Sequence, residues 1–127
     1  MNMGDEKILH REMSHKIIGL AMQVHRELGF GFLEKVYENA MMVLFRKESI
    51  HAAQQAPIMV SFHGEVVGEY FADILAEDQI ILELKSVAKI SDAHRAQVLN
   101  YLKATGKKLA IILNFGKESL EYERFVR

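Results

Sequence analysis

The sequence has no cysteine, a single proline among 127 residues and a formal net charge of only −1, sixteen Lys and Arg standing against seventeen Asp and Glu. Without cysteine there are no disulfides, thiolate zinc sites or cysteine nucleophiles, so any metal must be held by oxygen or histidine. The charge balance leaves no global positive field to draw the protein onto a polyanion. Nucleic-acid binding would need local patches, a dimer or bound cations. No stretch approaches the roughly 20 apolar residues needed to cross a bilayer, and Met1 to Arg11, charged from Asp5 onward, lacks an apolar core. A cytoplasmic location is the expectation. What is present is ordinary for a folded chain, with 50% hydrophobic and 26% charged residues and neither linker nor internal repeat. Because domains usually run about 100 to 150 residues, one domain over residues 1–127 is expected.

Apolar residues at Ile17, Leu20, Ala21, Val24 and Leu28 follow the three-and-four spacing of a helix from about Glu6 to Leu28. Gly29-Phe30-Gly31 breaks it. A second helix is expected from about Leu33 to Lys47, striped by Leu33, Val36, Tyr37, Ala40 and Leu44. After Pro57 the period becomes two: Ile58, Val60 and Phe62, a His63-Gly64 turn, then Val66 to Leu75 returning as the second arm of a hairpin. A short acidic turn near Glu77-Asp78 leads into Ile80 to Lys85, apolar on both faces and therefore a central strand. Ser91 or Asp92 caps a helix running to about Ala104, which Gly106 ends, and Leu109 to Leu113 is another apolar strand. A helix between two strands implies a crossover and some parallel pairing. Leu120 to Val126, without clean alternation, is read as a short edge strand. The fold class is α/β, a mixed central sheet flanked by helices.

Three ionisable residues, Asp73, Glu83 and Lys85, sit in these otherwise apolar strands, where unpaired charge is expensive. Glu83 and Lys85 are two apart, so their side chains leave one face of the strand while Leu82 and Leu84 leave the other. Asp73 lies on the preceding strand, where a hairpin could set it beside Glu83. Two carboxylates and the main-chain carbonyl of Leu84 are hard oxygen ligands suited to Mg²⁺ or Mn²⁺. A metal so held would polarise a phosphodiester and acidify a bound water, with Lys85 orienting that water or offsetting transition-state charge. Parity imposes a condition: a two-residue turn at Glu77-Asp78 would pair Asp73 with Leu82, so a three-residue loop or a β-bulge is required. The structural alternative is a surface Asp with an ordinary Glu/Lys pair facing solvent.

The segments Gly31-Phe32-Leu33-Glu34-Lys35-Val36-Tyr37, Asp73, Glu83-Leu84-Lys85-Ser86, Gln97-Val98-Leu99-Asn100-Tyr101-Leu102 and Asn114-Phe115-Gly116 together resemble the GxxExxY family of the PD-(D/E)XK nuclease superfamily, from about residue 10 to 127. The resemblance implies a restriction-endonuclease-like core, two N-terminal helices, a three-stranded meander, a helix, a strand and a short edge strand, with metal-dependent cleavage of nucleic acid. It also implies Asp73 and Glu83 as metal ligands, Lys85 as the catalytic lysine, Glu34 as an additional acidic residue directed at the metal, and Gln97 and Tyr101 as the Q-x-x-x-Y pair contacting substrate. A superfamily fold does not by itself establish a function.

From the residues alone, Glu34, Tyr37 and Glu38 share a helix face, where Tyr37 could equally be core and Glu34 could serve the positive helix end. Gln97, Tyr101 and His94 share a face beside the stripe Ala93, Ala96, Leu99 and Leu102, where polar residues are often only a rim. The six histidines show no H-E-x-x-H pattern and receive no catalytic role. Gly29-Phe30-Gly31 is too short for a phosphate loop. Met41, Met42 and Phe45 could form a partner surface or fill the core. Lys103, Lys107, Lys108 and Lys117 could touch phosphates or be merely solvated. The expected activity is hydrolysis of nucleic-acid phosphodiesters, with DNA ahead of RNA as substrate and a homodimer or a larger protein as candidate partner. The competing class is a module on the same fold that binds nucleic acid or protein without cleaving it, and a third is an unrelated small-molecule-binding α/β protein.

Overall fold

Residues 3–127 are described by a computed structural model in which three helices flank one five-stranded mixed sheet. Helix α1 (Met3–Leu28) ends where Gly29, at φ 73°, donates its N–H to the His25 carbonyl at 2.7 Å. That closure needs a left-handed residue, and glycine takes it without a Cβ clash. Helix α2 (Glu34–Lys47) follows. Strands β1 (Ala52–Phe62), β2 (Glu65–Ala76) and β3 (Ile80–Lys85) form an antiparallel meander, α3 (Asp92–Thr105) crosses over, and β4 (Leu109–Asn114) pairs parallel with β3. Strand β5 (Glu121–Val126) closes the far edge antiparallel to β4, giving the spatial order β1-β2-β3-β4-β5.

The two faces of the central strands build two cores. Ile80, Leu82 and Leu84 of β3 and Leu109, Ile111 and Leu113 of β4 pack with Ile17, Ala21 and Val24 of α1 and Tyr37, Met41 and Phe45 of α2. The alternate residues, Ile81 with Ala110 and Ile112, meet Val98, Tyr101 and Leu102 of α3. Burial on both faces is why β3 and β4 read as continuous apolar runs. Met41 and Phe45 are fully buried, so they belong to the core and not to a partner surface.

Two elements differ from expectation in detail. Strand β1 begins at Ala52 and runs through Pro57. It tolerates the proline because it is an edge strand, where a missing N–H need not break a ladder hydrogen bond. Strand β5 does alternate, its odd-numbered residues being the more buried, but two of the inward positions are Glu121 and Glu123. Glu121 accepts from Asn114 Nδ2 and from the Ile90 N–H, both at 3.0 Å, and Glu123 takes a two-pronged ion pair from Arg95. Polar groups satisfied this way can occupy an inward row that pattern reasoning reserves for apolar residues.

Candidate active site

The turn after β2 decides where Asp73 points. Glu77 and Asp78 both adopt left-handed backbone, at φ 53° and 56°, and Gln79 donates back to Ala76 O at 3.0 Å. The next pair is Ala76 with Ile80, then Leu75 with Ile81 and Ile74 with Leu82. Three residues therefore separate the strands, which meets the parity condition, and the register continues to Asp73 opposite Glu83. Backbone pairing of β2 with β3 is confined to those three residue pairs, whereas β3 stays paired with β4 through Lys85. Beyond Ile74 and Leu82 the carboxylates take over. The Leu84 N–H donates to Asp73 Oδ2 at 2.8 Å, and the Asp73 N–H donates to Glu83 Oε1 at 3.2 Å. Each strand thus anchors the acid of the other, in a fork between β2 and β3.

Glu83 is buried, 4% exposed, and Asp73 is half-buried. Burial, followed by repulsion from Asp73, pushes the Glu83 carboxyl up to about 8, although the Asp73 N–H and then Lys85 oppose the shift. A cation placed beside such a buried pair of acids would favour their charged forms and lower this pKa. A strand residue directs its N–H and C=O to the same edge. Since the Leu84 N–H faces Asp73, its carbonyl faces the same fork. Two carboxylates and that carbonyl are therefore a donor set that fits a hard divalent cation. Among the described residues no group of three or more Asp, Glu or His side chains lies together, so the acids alone supply fewer than three ligands. Lys85 is half-buried and occupies the same strand face as Glu83.

Helix α3 roofs this face. Its N-cap Ser91 accepts from the His94 N–H, and His94 Nδ1 accepts from the Ser91 N–H, a reciprocal cap that accounts for His94. One turn on, Gln97 is half-buried and its side chain has no hydrogen-bond partner among the described residues. Tyr101 is 6% exposed, and burial, then the charges of Glu83 and Asp73, push its phenol up to about 12. Its hydroxyl therefore stays protonated throughout the neutral range.

A family model described as the PD-(D/E)XK nuclease superfamily matches residues 11–125. The chain belongs to this superfamily. No curated protein matches the sequence. Among solved structures, the crystal structure of an alkaline exonuclease (LHK-Exo) from Laribacter hongkongensis superposes with a TM-score of 0.54 at 12% identity, covering 85% of this chain and 67% of that one. At that identity the likeness concerns the fold, and it agrees with the α/β, restriction-endonuclease-like architecture.

In this PD-(D/E)XK domain the remaining motif residues divide into scaffold and surface. Tyr37 is fully buried; its hydroxyl donates to Gly29 O at 2.7 Å and accepts from the Phe32 N–H at 3.2 Å, and its ring stacks on Phe115 at 4.5 Å. It clamps the turn between α1 and α2. Asn114, also fully buried, accepts from the N–H groups of Val87 and Gly116 and donates to Val87 O and Glu121. This pins the segment that follows Lys85. Gly116 passes so close that a Cβ there would lie 2.4 Å from the Val87 backbone N and O. Glu34 is exposed at the first position of α2, on the wall of a cavity shared with Phe32, Lys35, Ser86, Val87 and Gly116. The acid that α2 buries is instead Glu38, one turn later, held by Lys35, Gln54 and Gln55 at 2.6 to 3.0 Å. Gln55 stands opposite Asp73 in the β1–β2 register and has a left-handed φ of 51°, a conformation that costs a non-glycine residue on the order of 1 kcal/mol. Sequence reasoning noted Glu38 only as a neighbour of Glu34 and passed over Gln55. No local pattern announces either, because each depends on a contact between α2 and β1.

Proposed function

We propose that the chain is a divalent-metal-dependent nuclease of the GxxExxY branch, hydrolysing phosphodiester bonds of nucleic acid, DNA ahead of RNA. The observation that carries this reading is the fork, where Asp73 and Glu83 are cross-anchored to each other's strands, with the Leu84 carbonyl on the same edge and Lys85 on the same strand face. Asp73, Glu83 and Leu84 O would hold Mg²⁺ or Mn²⁺. The ion, when bound, supplies charge to the scissile phosphate and lowers the pKa of a coordinated water.

The residues of the chain do the rest. Asp73 and Glu83 keep their oxygens in place because each accepts a main-chain N–H, so little reorganisation is left for the moment of reaction. The Lys85 ammonium, carried beside Glu83 on a strand fixed by β4, orients the attacking water or balances charge developing on the phosphoryl oxygens. Tyr101 keeps its proton and can donate to a phosphate oxygen, while the free amide of Gln97 can bond substrate from the same helix face. Glu34, exposed on the cavity wall at the start of α2, would act on the substrate or the ion only through intervening water. Binding by a homodimer or beside a larger protein would extend the surface available to a duplex.

Cleavage of labelled single- and double-stranded DNA and RNA in Mg²⁺ and Mn²⁺ tests this, comparing the native chain with Asp73→Ala and Lys85→Ala. Metal-dependent cleavage by the native chain, reduced at least a hundredfold in both variants with folding retained, supports the assignment. A native chain that cuts nothing, or variants that cut as well as it does, leaves a binding module as the better account.

A further inference from the structure

A groove of about 800 Å³ lies between α3 and the β1–β2 hairpin. The helix contributes Gln97, Asn100, Tyr101 and Lys103, and the hairpin contributes Val60, Ser61 and Tyr70. Positions 97, 100 and 103 step by three along α3 and form one slanting row of polar side chains about 9 Å long. Asn100 and Lys103 are exposed, and Lys103 has no ion pair among the described residues, unlike Lys107, which is paired with Asp78. Facing this row is Tyr70, half exposed, its ring 5.8 Å from that of Tyr101 and tilted by 48°. Tyr70 lies three residues before Asp73 on the same strand, about 10 Å along it. The helix side is lined by Ala93, Ala96 and Ala104, small enough to leave the aromatic surface open.

A half-exposed aromatic ring, a row of neutral hydrogen-bonding groups, a free ammonium and an acid, Asp73, three residues further along the strand that carries the ring suit one ligand chemistry. We infer that this groove holds a single strand of nucleic acid, with Tyr70 stacking on an unpaired base next to the phosphate at the Asp73–Glu83 fork and Lys103 contacting a flanking phosphate. Inside a duplex both faces of a base are occupied by its neighbours. A stacking residue this close to the acids therefore selects an unpaired end or a single strand. This substrate class rests on the nuclease reading of the fork, while the groove's binding can be measured without cleavage.

The probe is a fluorescein-labelled ten-residue oligothymidylate, with a blunt duplex as comparison, titrated by anisotropy in EDTA. The native chain is expected to prefer the single strand. Tyr70→Ala weakens that binding about 5- to 150-fold, the range for loss of one base–aromatic stack, while Tyr70→Phe keeps it. Lys103→Gln, an exposed change on α3, lowers the slope of log affinity against log salt by about 0.7, the value of one single-strand phosphate contact. No preference for the single strand, Tyr70→Ala binding as the native chain does, or equal loss on both probes overturns the inference. Tyr70-dependent binding without cleavage in any metal supports the groove and sinks the nuclease reading. Cleavage that Tyr70→Ala leaves unchanged in KM for single strands does the reverse.

Discussion

Glu83→Gln should make the metal-free protein more stable, and increasingly so as pH rises. In the folded chain the Glu83 carboxyl titrates near 8, whereas its ordinary value is 4.5. Between those values the unfolded chain has released this proton and the folded chain still holds it, so raising the pH favours unfolding. The loss amounts to about 1.4 kcal/mol per pH unit through that window, at most about 5 kcal/mol when complete above pH 8. Set against a typical total of 5 to 15 kcal/mol, that is a large share. Glutamine has the same shape, does not titrate, and can donate to the Asp73 carboxylate as a protonated glutamate does. Urea unfolding of both proteins in EDTA from pH 5 to pH 8.5 measures the difference. It should be under about 1 kcal/mol near pH 5 and about 4 kcal/mol at pH 8.5, with unchanged denaturant slopes. Saturating Mg²⁺ should stabilise the native chain and leave the variant where it was. A difference that stays flat across this range would refute the argument, because any contact that does not titrate contributes equally at every pH.

Other outcomes follow from the same geometry. Mg²⁺ affinity measured by calorimetry should rise about tenfold per pH unit from 6 to 8 and level off above, since Glu83 must lose its proton to bind, and heats in buffers of different ionisation enthalpy should show about one proton released near pH 7. Gly116→Ala should cost about 2 to 4 kcal/mol in urea unfolding, because the Val87 backbone leaves no room for a Cβ. Tyr37→Phe removes two hydrogen bonds within the α1–α2 turn and should cost about 1 to 3 kcal/mol by the same measurement, with cleavage per folded molecule retained. Ser91→Ala should lower stability by about 1 kcal/mol through loss of the α3 cap.

Much of this fold was legible because its central strands are unambiguous. Ile80 to Leu84 and Leu109 to Leu113 are buried on both faces, and a continuous apolar run is what such strands require. The pairing of Asp73 with Glu83 was legible as a condition on loop length, which the three-residue turn satisfies. Less visible were features that depend on partners far along the chain. The alternation of β5 is hidden by Glu121 and Glu123, whose inward positions make sense only once Asn114 and Arg95 are in place. The period-two pattern was read only after Pro57, yet Ala52 to Gln54 already pair with β2. Tyr70 drew no attention within the strand from Val66 to Leu75. Its role depends on Tyr101, thirty-one positions later and on another element.

The turn Glu77 to Gln79 is a surface loop, and surface loops ordinarily absorb insertions and deletions with little consequence. This one does not have that freedom. Strand β3 is fixed by β4, so losing or gaining one residue in the turn would rotate every side chain of β2 to the opposite face, carrying Asp73 to the α1–α2 side of the sheet. The residue types in the turn can drift wherever left-handed backbone is tolerated, but their number cannot. Loop length here decides on which face of the sheet Asp73 stands, and among relatives of this chain it should vary less than the loop's exposure would suggest.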